Sequence, residues 1–89
     1  MVKVTLKEQE CKGTYKFDGQ ILYTKGMEAV FGDNVAEVIF KTMILIRQLV
    51  KRNVADYFQV AYAEKDGEKI KFYVIDDIDH ITFLLPSEY

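Results

Sequence analysis

A chain of 89 residues, 49% hydrophobic and 29% charged, has the make-up of one ordinary globular domain rather than of a disordered or membrane protein. Twelve Lys and Arg against 14 Asp and Glu leave a net charge of −2, too little for the strong field of a nucleic-acid grip or a wholesale acidic mimic of DNA. A single cysteine excludes an internal disulfide, and the most apolar run, VIFKTMILIRQLV, is broken by Lys41 and Arg47 and falls short of the roughly 20 residues a membrane span needs.

The start, MVKVTLKEQE, carries charges where a signal peptide needs an apolar stretch, so the expectation is a cytoplasmic protein without membrane association. No repeat, low-complexity tract or linker divides the chain, and residues 1–89 are read as one domain.

Val2, Val4 and Leu6 alternate with Lys3, Thr5 and Lys7, the two-residue period of a half-buried strand over about 2 to 9. GTYKFDGQILY sets two β-prone runs on either side of Asp18-Gly19, a pair that suits a tight hairpin turn, so a second and third strand are expected there. Met27 to Phe31 reads as one short helical turn stopped by Gly32.

From Asp33 or Asn34 a long helix begins, with Asn34 and Glu37 spaced as a capping box and Lys51 and Arg52 at its negative end. Val35, Val38, Ile39, Thr42, Met43, Ile46, Leu49 and Val50 form its core stripe, while Glu37, Lys41, Gln48 and Arg52 form the opposite face, with Glu37 and Lys41 at ion-pair spacing.

Three strands follow. Phe58, Val60 and Tyr62 alternate with Gln59 and Ala61; Asp66-Gly67 supplies a turn; Ile70, Phe72 and Val74 alternate with Lys71 and Tyr73; and Ile81, Phe83 and Leu85 alternate up to Pro86. The expected fold is α+β: a two-layer ββ(β)-α-βββ order with an antiparallel sheet packed on one long helix.

The acidic turn Asp76, Asp77, Asp79 and His80 invites a metal-dependent enzyme, since carboxylates suit hard cations and imidazole suits transition metals. Ile78 in its middle and the lack of a glycine break the calcium-loop pattern, and one His with one Cys does not make a zinc site. Asp residues also favour turns by bonding local amides, and that reading is preferred. Cys11 beside Lys12, with Glu8 and Glu10 opposing, reads as a plain thiol, and no nucleophile-and-base pair or phosphate loop is present. No enzyme activity and no cofactor are expected.

Nucleic acid is the alternative. A helix followed by a meander is similar to part of the double-stranded-RNA-binding fold, but the second helix and the dense basic start are missing. Tyr57 and Tyr73 are expected on the side of the meander facing away from the helix, near Lys71, where rings could stack on bases. The stronger excess lies on the helix. Phe40 and Ile44 fall outside the core arc, next to Arg47 and Lys51, and need cover from the N-terminal strands, from the 24–33 segment, or from a protein partner or second copy.

YTKG before the apolar helix, DYFQV opening the following hairpin, and the closing IDDIDHITFLLPSEY together resemble a family of small, mostly uncharacterised proteins of Gram-positive bacteria and their phages. The resemblance implies a phage or prophage setting, in which small domains act by binding host or phage proteins, for example as inhibitors of a bacterial defence system in the manner of anti-CRISPR proteins. It brings no catalytic residues.

Overall fold

Residues 2–89 are described by the computed structural model. Their elements are β1 (Lys3–Leu6), β2 (Gln20–Tyr23), α1 (Lys25–Phe31), a 3-10 turn (Gly32–Asn34), α2 (Val35–Lys51), β3 (Phe58–Lys65), β4 (Glu68–Asp76), β5 (His80–Leu84) and a closing 3-10 turn (Pro86–Glu88). The five strands form one sheet in the order β1-β3-β4-β5-β2, and the helices lie on one face of it, an α+β arrangement. Neighbours run antiparallel except β2 and β5, which are parallel, so the sheet is mixed rather than wholly antiparallel.

The helical region follows its sequence signals closely. Thr24 caps α1 through its hydroxyl, which accepts the Met27 N–H at 3.2 Å, and Gly32 ends α1 at φ 52°, a conformation that costs glycine little. α2 then buries Val38, Thr42, Met43 and Ile46 against the sheet. The capping box does not form: a 3-10 turn enters α2, and the Glu37 carboxylate instead accepts the Val2 N–H at 3.1 Å.

Asp66 and Gly67, at φ 51° and 82°, make the two-residue turn between β3 and β4, and with it Lys65 pairs with Glu68. That register sets Ala61 beside Phe72, Ala63 beside Ile70 and Gln59 beside Val74. Phe72 and Val74 are buried under the helices, so Gln59, Ala61 and Ala63 are the inward side of β3. Alternation alone sets Phe58, Val60 and Tyr62 toward the helix; in the structure they face the other way.

The expected hairpin at Asp18-Gly19 is replaced by a strap. Residues 7–19 carry the chain from the β1 edge to the far edge of the sheet, and their backbone bonds go to distant partners: Gly13 N–H to Val54 O at 3.3 Å, Tyr15 N–H to Ala55 O at 3.0 Å and Phe17 N–H to the Asp76 carboxylate at 3.0 Å. Gln9 starts the strap by donating to Val54 O (2.7 Å) and accepting from Asp56 N–H (2.9 Å) and the buried Gln59 amide (2.6 Å). Phe17 is fully buried at φ 49°, its carbonyl held by Arg47. Gly19 lies so close to Asp79 that a Cβ would meet the Asp79 carbonyl at 2.6 Å. The strap delivers the chain beside β5, where β2 runs parallel to it.

Candidate functional site

The outward face of α2 is built by helical spacing. Ile44 stands opposite the buried stripe, Phe40 lies one turn before it, and Lys51 lies in the last turn. Phe40 is 67% exposed and Ile44 47% exposed. Among the described residues neither the N-terminal strands nor the 24–33 segment closes over them; β1 reaches only the flank of Ile44, where Val2, Lys3, Val4, Lys41 and Leu45 complete a shallow groove.

Charge frames this patch. Lys41 bonds Glu37 at 2.7 Å, and the two also hold the C=O and N–H of Val2, which ties β1 to the helix. The Lys41 hydrogen bond, helped by the Val2 N–H, holds the Glu37 carboxyl below its usual range. Arg47 is exposed, as expected, but its guanidinium is engaged by the strap, donating to Lys16 O at 2.9 Å and to Phe17 O. Phe40, Ile44 and Lys51 therefore form the free part of the patch, extended at the helix end by exposed Arg52.

The second uncovered surface is the outer face of the sheet. β3 contributes Phe58, Val60 and Tyr62, β4 contributes Lys69, Lys71, Tyr73 and Ile75, and the last residue, Tyr89, folds back on them. Phe58, Tyr73 and Tyr89 meet as a three-ring cluster with centroids 4.8 to 5.7 Å apart. Lys71 lies 5.7 Å from the Tyr73 ring and Lys69 4.8 Å from that of Tyr62, within cation–π reach.

Tyr57 reaches Tyr73 only through Phe58. It precedes β3, is 44% exposed, and its ring lies between Tyr15 of the strap at 5.7 Å and the edge of Phe58 at 6.1 Å. The rings that do accompany Tyr73, Phe58 and Tyr89, were missed from the sequence. For Phe58 a signal existed: a two-residue turn at 66–67 makes Val60 the partner of Tyr73 and so gives Phe58 the same face.

In the acidic turn Asp76 and Asp77 accept from backbone amides, one of them distant in the chain. Asp76, 4% exposed, accepts Phe17 N–H at 3.0 Å and Ile78 N–H at 2.8 Å; Asp77 accepts His80 N–H at 2.7 Å. Ile78 is left at φ 83° with its side chain in solvent. Among the described residues no three His, Cys, Asp or Glu converge to hold a metal ion, and Cys11 is an exposed free thiol. No helix among them is long and apolar enough to cross a membrane.

Comparison of the chain with family models, with curated proteins and with solved structures finds no match.

Proposed function

We propose that this protein is a non-enzymatic protein-binding module acting through the outward face of α2, in the phage or prophage setting that the sequence resemblance implies. One observation carries the reading: Phe40, a ring that buries well in most settings, is 67% exposed on a regular helix with Ile44 beside it. The partner is a protein with an apolar recess for these two side chains and an acidic rim for Lys51 and Arg52, since burial of aromatic anchors within a polar rim is how such contacts gain affinity. The finer form of the proposal is a host defence protein as that partner, bound and inhibited in the manner of an anti-CRISPR protein.

Capture from host lysate with the wild type, Phe40→Glu and Ile44→Glu in parallel tests it. The wild type retains a partner that both variants lose while their circular dichroism and melting stay unchanged. Retention of the same proteins by all three sinks the reading, and variants that unfold would make Phe40 and Ile44 core residues instead.

A second reading, nucleic-acid binding, draws on Tyr73 and Lys71 of the outer sheet face, where a lysine stands over an aromatic ring. It ranks behind because Phe58 and Tyr89 already occupy the Tyr73 ring. A salt-sensitive mobility shift removed by Lys71→Glu would favour it, and no shift at low salt would remove it.

A further inference from the structure

The two edges of the sheet are finished differently. At the β1 edge Lys3 and Lys7 supply charge, and the Val2 backbone is taken up by Glu37 and Lys41. Natural sheets commonly blunt their edges in such ways. The β2 edge is as short as the β1 edge but carries no such charge. Its sequence, QILY, contains no charge and no proline, and Ile21, Leu22 and Tyr23 are 43%, 41% and 45% exposed.

The free backbone groups of β2 can be assigned. Gln20 N–H donates to Asp79 O at 3.0 Å and Thr24 N–H to Phe83 O at 3.2 Å, so the even-numbered residues turn toward β5. Ile21 and Tyr23 then direct their N–H and C=O groups outward, which asks for another strand rather than a rounded ligand.

We propose that β2 pairs with β2 of a second copy of this chain, antiparallel across a twofold axis, joining two sheets into one with the helices of both copies on the same side. A twofold axis perpendicular to the sheet requires one residue to lie opposite itself. With Leu22 at the axis, Ile21 faces Tyr23 of the second copy and Gln20 faces Thr24. Every outward group of Ile21 and Tyr23 then finds a partner, and apolar side chains meet apolar ones. Centring on Ile21 instead sets Gln20 against Leu22 and Tyr23 against Gly19, a poorer match. The pairing uses neither Phe40 nor Ile44, so it stands or falls apart from the α2 reading.

Sedimentation equilibrium of the full chain over a concentration series tests the pairing, with twice the 10.4 kDa chain mass as the expected result. Leu22→Lys brings two like charges together at the axis, and Tyr23→Pro removes an outward N–H but none of those that reach β5. Both are expected to lower the mass to that of one chain, while Phe40→Glu leaves the dimer intact. In a Cys11→Ser background Leu22→Cys is expected to form an interchain disulfide and Ile21→Cys is not, because non-hydrogen-bonded antiparallel pairs bring Cα atoms to about 4.5 Å. A single-chain mass at every concentration, or a dimer that survives Leu22→Lys and Tyr23→Pro, overturns the proposal.

Discussion

Along β3, adjacent residues face opposite fates. Ala61 and Ala63 look into the core beneath the helices, while Phe58, Val60 and Tyr62 look out from the uncovered side of the sheet. The larger apolar side chains are on the less buried face. Size explains the inversion better than hydropathy: α2 brings Val38, Met43 and Ile46 to the interface and β4 brings Phe72 and Val74, so the strand between them fits when it supplies small residues. An apolar pattern in a strand therefore says that one face differs from the other. Which face is the core depends on the register of the next strand.

The contrast predicts unequal costs for equivalent truncations. Phe72 is fully buried and touches Phe31 and Phe83 at centroid distances of 5.9 and 6.2 Å, so Phe72→Ala should cost about 3–5 kcal/mol in urea unfolding. If Phe58→Ala costs as much, the two faces are energetically alike and the contrast fails. Next comes the strap. Asp76→Ala leaves the buried Phe17 N–H without its acceptor and should cost about 1–3 kcal/mol, whereas Asp77→Ala, at an exposed carboxylate, should cost clearly less. Equal losses would mean that the turn, not the strap, is what Asp76 supports.

On the outer face, Tyr89→Ala takes one ring out of the Phe58–Tyr73–Tyr89 cluster, and its edge-on pairs with Phe58 and Tyr73 should be worth about 0.5–1.5 kcal/mol each in the same unfolding measurement. Smaller still is a pH effect at the surface. Glu88 is held below its usual range first by the Thr24 hydroxyl and then by the Leu85 and Gly26 amides, and Glu37 first by Lys41. A carboxyl whose folded pKa is depressed adds stability above its unfolded pKa and loses it as pH falls through the folded one. Melting temperature should therefore decline on acidification through the lower carboxylate range, and Glu37→Gln with Glu88→Gln should flatten that decline. An unchanged slope would remove both carboxylates as contributors. Smallest of all, Phe40→Ser on the outside of α2 should alter unfolding by no more than about 0.5 kcal/mol, the usual span for surface changes.

Local chemistry made α2, the 66–67 turn and the strands around it legible, because periodicity and turn residues act over a few positions. The strap was not legible for the opposite reason. Val54, Ala55 and Asp76, and the Arg47 side chain, receive or hold its backbone from far along the chain, and Phe17 adopts a positive φ without being glycine. Asp18-Gly19 has a hairpin's composition, yet its glycine serves close approach to Asp79. For the candidate surface, Phe40 and Ile44 could be found on a helical wheel. Arg47 could not be separated from them, since its role depends on a strap that the wheel does not contain.

The placement of β1 and β2 also has a consequence in time. The strands nearest the N-terminus occupy the two outer edges of a sheet whose centre, β3-β4-β5, is the C-terminal meander: Lys3 pairs with Glu64 and Gln20 with His80. Neither edge strand has a neighbour to join until the meander exists, and both must close long loops to reach it. Both edge strands therefore leave the ribosome before the strands they join, and Ile21, Leu22 and Tyr23 have no sheet neighbour until β5 has been made.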